Sequence, residues 1–501
     1  MRRISIFRTI VLLGAASAVS LCAQESPLER RVRILEAEAR DRGVLEARVK
    51  ELEGRLAGYE SGATNADLAI EREVNSILTR RAAGMVEAAK SQRIAISGQL
   101  RMRFESRDPF DYRLPGTFGR PGSDTFGADD DRVEQRTRIR FDARATDHVR
   151  VFAELQDSRL WGSESSVLSN EKNVDLHQAY VDVEKLFGEE LVLRAGRQEL
   201  SYGDQRMVSP LDWSNIARAW DGFRLMYRPA EWQIDLFLTD VKDAAARTPS
   251  PGPTGDDQLF GGAYVSYRPA ADHEYDAYFF HRSLHDGSVM SETSVAGDGE
   301  ESWIGLRAKG KEGAFDWSAE GVYEFGDRAG DDIGAYAAAL TAGYTFKDAA
   351  SLRVGAEWTF ATGDETSGDG DVDRFEAPYT FGHNYQGWAD VFSWKNGHDF
   401  ALHLSAKPGD DWTVGLSGHY FLLDEAQDGW FNSSGATLRR DPTGAAGDDV
   451  SAELDLYVKW QVRPQLMLFC GYSRFFAGSF VEDTGPSPDQ DWVFFMLTAD
   501  F

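Results

Sequence analysis

Three arginines at alternate positions, Arg136, Arg138 and Arg140 in RVEQRTRIRFDAR, are the side chains of this sequence best suited to bind something. A guanidinium stays charged at physiological pH and offers carboxylates a planar, two-pronged donor, so several stacked on one face make a track for carboxylate-bearing solutes. Glu134 and Asp142 share that face and are too few to neutralise all three. The competing reading is that these arginines pair with nearby carboxylates and merely solvate the surface they stand on. Arg101, Arg103, Arg194, Arg224, Arg353 and Lys459 extend the basic inventory, with Glu154, Glu320, Glu357, Glu453 and Asp455 among them.

Other chemistry is thinner. Asp369, Asp371 and Asp373 alternate in DGDVD, with Asp364 nearby, and hard oxygen ligands at such spacing suit Ca²⁺. The distal glutamate of a complete calcium loop is missing, so a solvated acidic loop is the expectation. His383 and Asp390 could form a His–Asp pair, but no serine stands in a nucleophile-elbow context to use it. The 9 histidines show no metal-ligand spacing, and no phosphate-cradling glycine motif occurs. The chain therefore reads as a non-enzyme without a cofactor.

Alternating arginines need an element of period two, and that period dominates from Ile94 onward. In IAISGQLRMRF the apolar Ile94, Ile96, Leu100, Met102 and Phe104 oppose Ser97, Gln99, Arg101 and Arg103. WQIDLFLTD, FDWSAEGVYEF, SLRVGAEWTF and AELDLYVKW repeat the pattern, and WADVFSWKN is its weakest instance. The last strand, DWVFFMLTADF, ends on an aromatic residue. Each stretch has roughly the length of a tilted membrane strand. Connectors alternate between tight turns (Arg228–Glu231, Lys347–Ala349, Arg463–Pro464) and long polar loops (Arg107–Asp131, Val241–Asp257, His285–Glu300, Thr362–Gly387, Asp424–Asp448). The expectation is an all-β fold, a transmembrane antiparallel β-barrel of about 18 strands over residues 93–501, with the apolar face toward lipid. A soluble sandwich is the alternative, although such domains rarely need so many strands. With 48 Gly, 12% aromatic residues and a net charge of −28, the composition suits a barrel and argues against a nucleic-acid partner.

Ahead of the barrel, Arg2, Arg3 and the apolar run Ile10–Val19 read as a secretory signal over residues 1–23, cleaved after Ala23. A lipoprotein signal at Cys22 is the rival, with Leu21 where a small residue is expected. Residues 24–60 carry Leu28, Val32, Leu35, Leu45, Val49, Leu52 and Leu56 at helical spacing, as a short periplasmic coiled coil or lone helix. Residues 61–92 read as a helical linker. Self-association or cell-wall contact through Leu28–Leu56 would follow.

LRAGRQELSYGDQRMVSPLDWSNIARAWDGFRL, from Leu193 to Leu225, resembles the signature segment of the alginate export family of outer-membrane porins. APYTFGHNYQGWAD, from Ala377 to Asp390, is similar to that family's conserved loop, as is the C-terminal run from RFFAG onward. The resemblance implies an 18-stranded barrel whose arginine-lined pore passes a polyuronate. It draws Arg194, Arg197, Asp204, Arg206, Arg218, Asp221 and Arg224 into the motif, with Arg194 and Arg224 facing inward by parity. The N-terminal extension and the acidity of the whole chain depart from that pattern. Three functions follow in order: a channel for anionic, uronate-containing saccharides or other small anions, a general small-solute porin, and an outer-membrane tether acting through its N-terminal helix.

Overall fold

The computed structural model describes residues 94–109, 112–114, 130–162, 172–188, 190–242, 258–347 and 350–501. The expected signal peptide, coiled coil and linker lie outside them. Eighteen long antiparallel strands follow in chain order: β1 (Ile94–Asp108), β2 (Asp130–Arg144), β3 (Val149–Leu160), β4 (Lys172–Val183), β5 (Leu191–Gln198), β6 (Ala219–Tyr227), β7 (Trp232–Lys242), β8 (Gln258–Ala270) and β9 (His273–Met290). The second half comprises β10 (Ala296–Glu312), β11 (Phe315–Arg328), β12 (Asp331–Thr345), β13 (Arg353–Ala361), β14 (Gly397–Gly409), β15 (Trp412–Leu422), β16 (Asp449–Arg463), β17 (Leu466–Ala477) and β18 (Gln490–Asp500).

Each strand pairs with its chain neighbour, and β1 pairs with β18 in the register Gln99↔Asp500, which closes the barrel and removes every sheet edge. Gly98 and Phe501 exchange backbone hydrogen bonds of 2.8 and 3.0 Å at that seam. The alternation read from sequence survives closure. Leu236, Leu238, Ile304, Leu306 and Leu402 are exposed on the outer wall, where lipid replaces water. Arg101, Arg103, Arg136 and Arg138 are buried on the inner one. Trp412 stacks on Trp460 and Trp232 on Tyr267 near the short-turn end, as in the aromatic girdle of an outer-membrane barrel.

One expected connector and one expected strand fail. The polar stretch His285–Glu300 is mostly strand, because β9 runs to Met290 and β10 starts at Ala296 with a register shift between Gly297 and Gly299. Trp388–Asn396, the weakest strand candidate, forms no strand and belongs to a connection of residues 362–396. Its apolar side chains serve a different purpose: Ala389, Val391, Phe392 and Trp394 are buried against other loops and the inner wall. The interior is thus occupied by folded loops rather than left empty.

Candidate functional site: the barrel lumen

Residues 199–218, between β5 and β6, turn inward and meet the inner face of β1–β3. Irregular backbone placed there needs a partner for each carbonyl, and the wall supplies them. Arg101 and Arg136 donate to the Asp212 carbonyl at 2.6 and 2.9 Å, and Arg101 and Arg103 to that of Trp213 at 3.0 and 2.6 Å. Arg101 and Arg136 also reach the Ser214 carbonyl, Ser158 donates to Asn215 O, and Gln156 to Ile216 O. Five consecutive carbonyls are held. Arg136 and Arg138 both clasp Asp212 Oδ1 at 2.9 Å, and the Arg103 guanidinium lies 4.1 Å over the Trp213 ring. Burial opposes ionisation of Asp212, but Arg136, Arg138 and Arg101 hold its carboxyl below the usual range.

The segment 362–396 folds in from the other side and pairs with the first. Ser209 N donates to Tyr379 O at 2.9 Å, Tyr379 N to Met207 O at 3.0 Å, and Phe381 N to Gln205 O at 3.1 Å. The Tyr385 hydroxyl donates to the Asp204 carbonyl, and Arg206 sits 3.7 Å over the Tyr385 ring while pairing with Glu357 of β13 at 2.9 Å. His383 stacks on Trp213 at 4.1 Å and bonds Asp390 at 3.0 Å. The sequence-noted His–Asp pair therefore exists, as a clasp under a stacked ring. Gly387 turns this segment at φ 75°, and a Cβ there would lie 2.6 Å from the Glu453 carboxylate.

The remaining expected lining residues divide. Glu134 pairs with Arg103, Arg140 with Glu154, Arg194 with Asp182 at 2.7 Å, and Arg224 with Asp235. Arg197 is the correction: three residues beyond Arg194, it takes the opposite face, which it shares with Asp221 and the exposed Phe223, and it bonds Asp221 at 2.7 Å on the outer wall. Arg218 stays with the inner loop, its guanidinium 5.1 Å over Tyr379. Reasoning from the sequence missed Asp212, Trp213 and Trp388, whose only signal was membership of the two motif segments. It also missed Arg307, which holds Asp204 at 2.6 Å.

Among the described residues, the one group that brings three metal-ligand atoms within 4.8 Å of one another is Glu154, His177 and Glu199. Arg138 and Arg140 already engage it, so a dication would meet a neutralised site. Asp369, Asp371 and Asp373, the weaker calcium candidate of the sequence, form no such group. Asp371 and Val372 instead pair with Asp332 and Ile333 of β12.

A family model described as alginate export matches residues 92–494. Among solved structures, Pseudomonas aeruginosa OccK9 (OpdG) is similar at 13% identity and TM-score 0.53, covering 81% of this chain and 98% of that one. Acinetobacter baumannii OccAB4 follows at 12% and 0.52 (82% and 99% covered), and the P. aeruginosa outer membrane protein OprD at 12% and 0.51 (82% and 94%). At such identity these likenesses establish the fold alone. No curated protein matches by sequence.

Proposed function

Since the chain belongs to the alginate export family and forms an outer-membrane channel, we propose that its lumen passes anionic, uronate-containing oligo- or polysaccharides. The supporting observation is a set of cationic side chains on the inner face of the short-turn half, led by Arg140, Arg150, Lys309, Arg353 and Lys459. They come from β2, β3, β10, β13 and β16, so an anion meets positive charge from several sides of the wall. Attraction at each site is weak in a wet lumen, which lets a solute move on from one site to the next. Arg101, Arg103, Arg136 and Arg138 serve this function by setting the constriction, since their donors are taken up by residues 212–214.

A general small-solute channel is the second reading. It is favoured by the partners these cations already have: Glu154 for Arg140, Asp142 for Arg150, Asp316 for Arg353. The tether reading depends on residues 28–56, outside the described chain.

Ion selectivity of the purified protein in a planar bilayer under a salt gradient, repeated with oligouronate, separates the first two. Anion selectivity with uronate block is the expected result. Cation selectivity without block would leave the general channel.

A further inference from the structure

Lys459 differs from the other inward cations. It stands on β16, five residues before the turn at Pro464–Gln465, on the face that carries the buried Glu453 and Asp455. Among the described residues no carboxylate pairs with it, and its side chain is exposed. Aromatic rings surround it instead. Its ammonium lies 4.5 Å from the Phe469 ring centroid, its cross-strand neighbour on β17, and 5.6 Å from that of Tyr457. Trp388, carried in by residues 362–396, tilts over Tyr457 at 5.2 Å and meets Phe469 edge-on at 5.7 Å. Phe469 is enclosed, but Tyr457 and Trp388 are only half-buried.

A uronate unit has complementary chemistry. Its pyranose presents C–H bonds that lie against an aromatic face, and its carboxylate seeks a cation at the edge of the ring. A lysine in a saturated ion pair would not serve, because the solute would have to displace an internal carboxylate first. We infer that Tyr457, Trp388 and Lys459 form a saccharide subsite at the periplasmic side of the constriction, the two rings stacking on one uronate unit and Lys459 Nζ taking its carboxylate. The subsite rests on the uronate reading above and gives it a location. It also explains why this lysine lacks the acidic partner that β16 could have provided: a carboxylate beside it would repel the solute.

The test is single-channel current block of the full-length protein, comparing a short oligomannuronate with a neutral mannose oligomer of equal length. Lys459→Gln is expected to weaken uronate block about fivefold, the scale of one exposed ion pair, and to leave the neutral oligomer unaffected. Lys459→Arg is expected to retain uronate block, and Tyr457→Leu to weaken block by both oligomers. Lys459 holds no internal ion pair, so Lys459→Gln gives up only its cation–π contacts with Phe469 and Tyr457. Equal uronate block of wild type and Lys459→Gln would overturn the subsite while leaving the uronate channel intact. If oligomannuronate does not block the wild type, the functional reading itself fails.

Discussion

The wall made by β1–β3 and the wall made by β16–β18 face the same lumen and each receives an inward segment, but they hold it by different physics. On the first, guanidinium groups saturate the carbonyls and carboxylate of residues 212–214. On the second, Trp388, Trp213, Phe469 and Phe494 interlock edge to face or tilted, Trp492 stacks on Phe494, and the nearby cation Lys459 is left open. Positive charge in a barrel is thus structural where backbone comes to rest on it. It becomes available to solute where only rings lie beside it. Counting arginines on the inner face cannot tell the two apart.

Trp213 bridges both walls, stacked under Arg103 and edge-on to Phe494 at 5.1 Å. Trp213→Ala should have the largest effect, removing about 3 kcal/mol of anchoring for a half-buried tryptophan. Single-channel conductance should rise and become noisy, and conductance identical to wild type would refute a Trp213-anchored constriction. Asp212→Ala touches the cationic wall alone. It leaves the buried Arg136 with carbonyls but no carboxylate, a loss of about 2 kcal/mol after allowing for the exposure of Asp212. A smaller conductance rise, with uronate block at the Lys459 side preserved, is expected. Loss of block there instead would show that the two walls are not separable.

A third prediction concerns pH. Burial and the neighbouring Glu292 push the Asp364 carboxyl up to about 7. The folded state therefore binds more protons than the unfolded chain from roughly pH 4 to 7, and the packing of residues 362–396 weakens as pH rises through that window. Limited proteolysis of this segment should accelerate between about pH 5 and about pH 8, and Asp364→Asn should flatten the difference. A rate that falls with pH would contradict the assignment. Arg197→Ala, on the lipid side, should change neither conductance nor uronate block, and a shift in either would place Arg197 in the lumen after all.

Period-two patterning made the barrel legible because lipid on one side and water on the other impose opposite demands on successive side chains. It delivered the strands, their number settled at about 18 only with the even count usual for such barrels, and it put Arg101, Arg138 and Arg194 on the polar face. It failed at Arg197 because a shared motif carries no parity. Residues 285–300 were misplaced because a polar strand end above the membrane lacks the apolar half of the pattern. The stretch Trp388–Asn396 misled for the opposite reason: apolar residues there are buried by loops, so they mimic a strand without pairing as one.

What the sequence determined by itself is the wall, since each strand's two faces are specified locally, by neighbours one and two residues away. Only the tertiary structure decided what the arginines do. Asp212 lies 74 residues from Arg138, and their 2.9 Å contact exists because closure of the barrel brings β2 opposite the segment after β5. Whether a charge is spent on the protein or left for a solute depends on such long-range contacts.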